Sequence, residues 1–227
     1  MKCSEIITLL EQEYGKEYAC DWDNVGLLAG RSTKEVKKIL LSLDATDEVV
    51  RMAAEGGYDM LITHHPMLFS AIKRVTDQDM NGRRLLELIR NDISYYAMHT
   101  NYDTRGMADL AARLMGLTEC AVLEEVKDGE GIGRVGKLPH PMTLRECGEQ
   151  VKVAYGIPNV RLFGDPDTQV SLVGICPGAG KSTMPLALGF GCDVYITGDI
   201  DHHTGIDAVD QGMCIIDAGH YGVEHIF

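Results

Sequence analysis

Two adjacent histidines follow an apolar run in the segment LITHHPMLF, residues 61–69, where His64 and His65 precede Pro66. Imidazole nitrogens are common metal ligands and, with an ordinary pKa of about 6.5, common acid–base catalysts. Neighbouring residues of a strand point to opposite faces of a sheet. Both rings can therefore turn toward one point only if the strand ends just before them. The segment predicts a strand terminus where both imidazoles face one ligand.

Three further predicted strands also end close to metal-ligand residue types. These residues are His99 and Asp103 after ISYYAM, His202 and His203 after DVYIT, and His220 and Glu224 after MCIID. Ligands of α/β proteins bind beyond the carboxyl ends of the strands. A single histidine at such an end most often has a structural role, which is the role we assign to His140 and His225. Four such ends in one chain favour a metal site.

The ligand types indicate which metals would bind. Imidazole and carboxylate suit zinc, manganese, iron or nickel better than calcium. The candidate ligands outnumber the four that a tetrahedral ion takes, which favours two ions. Two ions about 3.5–4 Å apart can hold a bridging hydroxide as a nucleophile. His220 and Glu224, one helical turn apart, could equally form a surface pair.

Composition excludes several classes of function. The 227 residues have a formal net charge of -13, which makes nucleic acid an unlikely partner. No apolar run approaches the roughly 20 residues that a membrane span needs. The amphipathic start of the chain lacks the apolar core of a signal peptide. The seven cysteines are scattered and form no Cys-x-x-Cys pair, which predicts reduced thiols and a cytoplasmic location.

Helical and strand patterns alternate along the chain, which predicts a three-layer α/β arrangement. We place a boundary near the Gly-rich segment 124–141, giving a first domain over residues 1–126 and a second over residues 127–227. The predicted helices cover residues 2–14, 47–57, 81–92, 104–116, 143–155, 182–189 and about 203–211. The predicted strands cover residues 37–45, 58–63, 93–98, 160–163, 169–176, 193–197 and 213–217.

Seven segments together resemble one known family, in the same order and over residues 1 to about 224. They are DWDNVGLLAG (21–30), LSLDAT (41–46), LITHHPMLF (61–69), MHTNYD (98–103), GIGRVGKLPHPMTLRE (131–146), ITGDIDHHTGIDA (196–208) and IIDAGHYGVE (215–224). Through these segments the chain resembles the NIF-three-like proteins. These are also called GTP cyclohydrolase I type 2 homologues or dinuclear metal centre hexameric proteins.

The resemblance implies two α/β domains with mixed sheets around a cleft that holds two metals, the last segment of the second domain returning ligands to the cleft. It also implies a ring-shaped homohexamer. The implied metal ligands are His64, His65, Asp103, His220 and Glu224. His99 and His203 match further polar positions close to the metals, and we expect them to transfer protons. The ions would be two divalent metals, and the substrate an unidentified small molecule.

The resemblance leaves the activity open. The family name implies hydrolytic opening of a guanine ring, but the sequence shows no guanine-specific pocket. The first hypothesis is therefore a metal-dependent hydrolase of a nucleotide-like or heterocyclic substrate. The alternative is a metal-binding, metal-delivery or regulatory protein without turnover. Two departures from the pattern are a chain that ends three residues after Glu224, where relatives carry a further helix, and His202, where many relatives have an aromatic residue.

Three other features each have a structural explanation beside a functional one. The segment CPGAGKS (176–182) fails as a phosphate loop because Ile175 stands where glycine is required, so it predicts a tight turn before a helix. Trp22, the sole tryptophan, has packing as its favoured role, and a stacking platform is the less favoured one. Asp44 could equally support a metal ligand or cap a helix.

Overall fold

The computed structural model describes residues 1–227 and separates into two compact units. Unit 1 comprises Met1–Tyr102 together with Phe227, and unit 2 comprises Asp103–Ile226. The division at residues 102 and 103 differs from the boundary that the sequence suggests at residues 126 and 127. The Gly-rich segment does not separate two units, because it forms a β-hairpin within unit 2.

Unit 1 is built on a four-stranded mixed sheet with the order β1-β4-β3-β2. Its strands are β1 (Gly26–Ala29), β2 (Ile39–Ser42), β3 (Met60–Thr63) and β4 (Ser94–Ala97). Its helices are α1 (Cys3–Glu13), α2 (Asp47–Glu55), α3 (Met80–Arg90) and the single turn α4 (Thr100–Tyr102), with a 3-10 turn at Lys16–Tyr18. Strand β1 runs antiparallel to β4, and the other neighbours are parallel. The ends of β3 and β4 therefore lie side by side at one edge of the sheet.

Side chains of this sheet alternate between two cores. Leu61 of β3 packs in a cluster with Val50 of α2 and Leu88 of α3. Its neighbour Met60 belongs to a second cluster, which includes Cys3 of α1. Because successive strand residues face opposite sides, helices cover both faces of the sheet. Unit 1 thus has three layers.

Unit 2 is built on a six-stranded mixed sheet with the order β5-β6-β8-β9-β10-β7. Its strands are β5 (Thr118–Lys127), β6 (Glu130–Thr143), β7 (Arg161–Phe163), β8 (Gln169–Ala179), β9 (Val194–Gly198) and β10 (Cys214–Asp217). Its helices are α5 (Ala108–Leu114), α6 (Leu144–Tyr155), α7 (Met184–Gly189), α8 (His202–Asp210) and α9 (His220–Glu224), preceded by a π-helical turn at Asp103–Met107. Strands β8, β9 and β10 are parallel to one another.

Two cores again cover opposite faces of the sheet in unit 2. Val194 and Ile196 of β9 pack with Leu144 of α6. Tyr195, between them in sequence, packs with Ala187 of α7 in the other cluster. The α/β fold with mixed sheets that the sequence predicts is therefore confirmed. None of the helices is long and apolar enough to cross a membrane.

Three local features add to or correct the sequence predictions. Thr46 is the N-cap of α2, since its side chain accepts a hydrogen bond from the Val49 amide. The helix predicted over residues 104–116 is shorter in the structure, because it begins with the π-helical turn and only then continues as α5. Strand β1 and the β5–β6 hairpin are absent from the elements that the sequence predicts.

Candidate metal centre

The double histidine lies directly after the last residue of β3. His64 is fully buried, and its Nδ1 lies 3.0 Å from the carbonyl oxygen of Met98. A carbonyl only accepts, so Nδ1 carries the proton and Nε2 carries the lone pair that a metal would bind. Thr63 fixes the turn by donating a 2.8 Å hydrogen bond from Oγ1 to the His65 carbonyl. Ending the strand here lets both rings leave the sheet edge, as the sequence predicts.

His65 is oriented by a carboxylate from the neighbouring strand end. Its Nδ1 lies 3.0 Å from Oδ1 of Asp44, which follows β2. Since Thr46 caps helix α2, Asp44 is not needed as a cap. Of the two roles that the sequence leaves open for Asp44, the structure supports that of orienting a candidate ligand. The bond again leaves the Nε2 lone pair of His65 as its ligand position.

His99 follows β4 and is held by Asp23, at distances of 3.0 and 3.1 Å from Nδ1 to the two carboxylate oxygens. Burial raises the pKa of Asp23, but hydrogen bonds from His99 and Thr100 outweigh it and lower that pKa to about 2. Asp23 is therefore an anion at neutral pH. The ligand atoms offered by His64, His65 and His99 all lie within 4.8 Å of one another. Three imidazoles thus converge within unit 1.

In unit 2, His220 and Glu224 lie one turn apart on α9. The His220 Nδ1 is 2.8 Å from Oδ2 of Asp199, and its Nε2 is 3.0 Å from Oε2 of Glu224. The hydrogen bond from His220 to Glu224 raises the pKa of the imidazole to about 9, against the opposing effect of burial and with help from Asp199. A cation can take the place of the proton between the imidazole and the carboxylate. The pair is therefore more than a solvent-exposed ion pair, since Glu224 is buried.

Gly178 of β8 makes room for this pair. Its φ of 75° lies in the left-handed region, and a Cβ built on it would collide with Oε1 of Glu224. The backbone of β8 consequently approaches the carboxylate more closely than any other residue type would permit. The position is shaped around the Glu224 side chain.

The remaining predicted site residues lie at element starts in unit 2. Asp103 opens the π-helical turn and is half-buried. His203 lies in the first turn of α8, where it is exposed and its ring contacts that of His202 at a centroid distance of 5.3 Å. The assignments of Asp103 as a ligand and of His203 as a proton carrier remain predictions.

Sequence reasoning missed the role of Asp199 and did not recognise Asp23 as the partner of His99. Asp199 follows β9 and adopts a φ of 58°, which directs its carboxylate to His220 across 21 residues of sequence. Asp23 and His99 are 76 residues apart. The sequence signal for both was an aspartate within a matched family segment, DWDNVGLLAG or ITGDIDHHTGIDA.

The segment 176–182 behaves as the sequence predicts. It continues β8 through Ala179 and then turns into α7. Lys181, the residue that would bind phosphate in a phosphate loop, instead pairs with Asp201 at 2.6 Å.

The sequence and the fold both match known proteins. The model of the Duf34/NIF3 (NGG1p interacting factor 3) family matches residues 1–227. The GTP cyclohydrolase 1 type 2 homologs of Clostridium perfringens and Streptococcus pneumoniae are each 35% identical to this chain, covering 99% and 100% of it and 87% of each relative. The solved structure of a Bacillus cereus protein related to NIF3 superposes with a TM-score of 0.93 at 25% identity, covering 98% of this chain and 89% of that one.

Proposed function

Because the chain belongs to the Duf34/NIF3 family, we propose that it binds two divalent metal ions and uses them to hydrolyse a small nucleotide-like or heterocyclic substrate. The proposed ligands are the five that the resemblance implies. They are His64, His65, Asp103, His220 and Glu224.

One observation carries the metal assignment. In each of the imidazoles of His64, His65, His99 and His220, Nδ1 lies within 3.0 Å of an oxygen acceptor. Metal-ligating histidines almost always donate their second ring N–H to a carboxylate or carbonyl in this way. His225, to which we assign a structural role, makes the same contact with the Tyr221 carbonyl at 3.0 Å. The four imidazoles differ from it in their setting, because the ligand atoms of His64, His65 and His99 lie within 4.8 Å of one another and Nε2 of His220 lies 3.0 Å from Oε2 of Glu224. With Nδ1 engaged in this way, Nε2 is the atom that each ring offers to a metal.

The donor set fits the metals that the sequence favours. Imidazole nitrogens and carboxylate oxygens suit zinc, manganese, iron or nickel. Divalent ions held by these side chains would supply Lewis acidity and make water nucleophilic at neutral pH. The three carboxylates Asp23, Asp44 and Asp199 orient the imidazoles and offset the positive charge that ligation brings.

We assign proton transfer to His99 and His203. Asp23 holds the Nδ1–H of His99, so Nε2 is the atom that would accept a proton from water and return it to a leaving group. The anionic Asp23 stabilises the imidazolium formed in between. The exposed His203 would exchange protons with solvent.

Metal analysis of protein purified without chelator tests the assignment. We expect about two ions per chain, with the content reduced in His64→Ala and Asp103→Ala. His140→Ala is the matched control, since His140 is exposed on β6 and lies outside the proposed ligand set. Unchanged metal content in both ligand variants would refute the proposal.

Turnover separates the hydrolase from a metal-delivery or regulatory protein, an alternative favoured by the interaction recorded in the family description. The metal-loaded protein would be screened against GTP and related nucleotides by chromatography of the products. Product formed by the wild type and lost in His99→Gln supports hydrolysis. Full metal occupancy without turnover of any nucleotide favours the non-catalytic alternative.

We also propose that the protein assembles as a homohexamer, as the resemblance implies. Light scattering coupled to gel filtration would give about six times the 24.9 kDa chain mass. A monomer at micromolar concentration would contradict this assembly.

A further inference from the structure

Two large aromatic side chains of unit 1 are exposed beside His99. Trp22 keeps 64% and Phe69 keeps 52% of its surface in solvent. The packing role that the sequence favours for Trp22 is therefore wrong. Large exposed aromatic rings carry an unfavourable contact with water, and they are enriched at binding sites for that reason.

Hydrogen bonds anchor the chain next to both rings. Asp23, next to Trp22, accepts hydrogen bonds from the amide and the hydroxyl of Thr100 at 3.0 and 2.6 Å. Asn24 donates from its side-chain amide to the carbonyl of Leu68 at 2.5 Å, which ties the Trp22 segment to the residue before Phe69. The backbone beside each ring is therefore fixed, which limits the positions that the two rings can take.

Both rings contact the His99 imidazole at a steep angle. The centroid of Trp22 lies 5.9 Å from that of His99 at an interplanar angle of 72°, and the centroid of Phe69 lies 5.6 Å away at 85°. Neither ring is stacked face to face on the imidazole. Two exposed apolar rings thus accompany a polar ring whose ligand atom lies within 4.8 Å of those of His64 and His65.

We propose that Trp22 and Phe69 form a stacking platform that binds a planar aromatic heterocycle, such as a purine base, next to His99. The inference rests on the proposed function in placing the substrate of the metal centre here. It goes beyond that function by naming the two side chains that would bind the base and the place beside His99 where they would hold it.

The surroundings of the platform favour a heterocycle over an apolar protein surface. His99 is partly exposed beside the rings. An apolar partner seated on Trp22 and Phe69 would desolvate the imidazole and return no hydrogen bond, which is costly. A heterocycle offers its π-face to the aromatic rings and a ring N–H or exocyclic amino group to the Nε2 lone pair of the imidazole. One ligand of this class satisfies both kinds of group.

The sole tryptophan makes the test direct, because all tryptophan emission comes from Trp22. GMP and ribose 5-phosphate, which differ by the base alone, would be titrated into the metal-loaded full chain with correction for absorbance. We expect saturable quenching of the emission by GMP and none by ribose 5-phosphate. Equal responses to the two probes would reveal phosphate binding alone and would overturn the proposal, as would no response to either.

Three variants sharpen the test. Phe69→Leu should weaken GMP binding about ten-fold, the loss expected for one base–aromatic contact. Trp22→Leu, followed by calorimetry, should lose at least as much. Phe190→Leu is the matched control, since Phe190 is an exposed phenylalanine of unit 2 outside the platform, and its GMP affinity should equal that of the wild type. Equal affinities of Phe69→Leu and the control would overturn the proposal.

Two further readouts separate the rival explanations. Metal content measured on the same samples distinguishes this inference from the proposed function: base-specific quenching in a protein that takes up no metal would support the platform and refute the metal centre. Trp22 emission that shifts with protein concentration alone, with no response to GMP, would show that the rings form a subunit interface and would overturn the platform.

Discussion

At the scale of single residues, the candidate metal centre depends on the oxygen acceptors that orient the imidazoles as much as on the imidazoles themselves. Met98, Asp44 and Asp199 each contribute one oxygen to the Nδ1 of one histidine, and Asp23 contributes both carboxylate oxygens. Loss of such a partner typically lowers metal affinity 10–100-fold, since the ring then samples other orientations and tautomers. Three of the four partners are carboxylates, which also raise the basicity of the ligand atom.

Asp199 permits the cleanest test of this role. Asp199→Gly removes the carboxylate while relieving the φ of 58°, so the fold should be retained. We expect metal affinity to fall by roughly 10–100-fold, measured by competition with a fluorescent chelator. Asp128→Gly is the matched control, since Asp128 has a φ of 53° in an exposed hairpin turn. Equal affinities in the two variants would show that Asp199 has no part in metal binding.

Gly178 gives a second prediction at this scale. Both Gly178→Ala and Gly129→Ala place a Cβ at a positive φ, and each should cost about 1–2 kcal/mol in unfolding free energy. Only the Cβ at position 178 meets Glu224, whereas that at position 129 projects into open space. Gly178→Ala should therefore lose more stability in urea unfolding and also lose metal. The same stability and metal content in both variants would contradict the assignment.

The sequence predicts the candidate metal ligands better than the residues that orient them. His64, His65, His220 and Glu224 stand out because each follows a strand end, a local signal. The partners of the imidazoles are brought by tertiary structure, as for the 76 residues that separate Asp23 from His99. Local patterns hold no information on such pairs. The packing role favoured for Trp22 fails for a related reason, since the residue type favours burial and the exposure of this ring depends on tertiary structure.

At the scale of elements, the π-helical turn Asp103–Met107 is held by a buried arginine of β6. Arg134 donates to Asp109 at 2.7 Å, to the carbonyls of Gly131 and Gly133 at 2.6 and 2.9 Å, and more weakly to that of Thr104 at 3.4 Å. Its guanidinium thereby links β6 to the turn that begins with Asp103. Turns of this kind are frequent at functional sites.

Arg134→Met should release the turn. Asp109 keeps 43% of its side chain exposed, so the lost ion pair costs little by itself. The carbonyls of Gly131 and Gly133 lose their buried donor, which costs about 1–3 kcal/mol for each unsatisfied group. We expect metal affinity to fall at temperatures where the variant is still folded by circular dichroism, because Asp103 is no longer held. Lys137→Met is the control on the same strand, since Lys137 pairs only with the exposed Glu119 in the solvent. If Arg134→Met is destabilised but keeps wild-type metal affinity, the π-helical turn has no part in metal binding.

The sequence predicts elements with a strong hydrophobic periodicity well, and it misses elements whose position depends on the type of turn between them. Helix α6 matches its predicted range because Thr143 and Glu146 form a capping box and Gly156 ends the helix at a φ of 62°. The sequence predicts a domain boundary at the β5–β6 hairpin, although Asp128-Gly129 is a strong two-residue hairpin signal, with φ values of 53° and 79°. The alternation of its strands is obscured by glycines, whose lack of a side chain removes the period-two pattern.

At the scale of the whole molecule, metal binding should raise the free energy of unfolding. The net charge of -13 disfavours the folded state through self-repulsion, and divalent cations reduce that charge. A ligand that binds only the folded chain contributes about 2.7 kcal/mol at 100 times its dissociation constant. We expect the thermal midpoint to rise with added manganese or zinc and to fall with chelator. The same shift in His64→Ala would indicate metal binding elsewhere.

In the proposed centre, the Nε2 atoms of His64, His65 and His220 bind metal while their Nδ1 atoms face oxygen. Anomalous X-ray scattering at the metal edge, from crystals of the metal-loaded protein, tests this arrangement most directly. We expect two peaks per chain, with Nε2 of His64, His65 and His220 each about 2.0–2.1 Å from a peak. Peaks bound through Nδ1, or peaks that avoid these three residues, would contradict it.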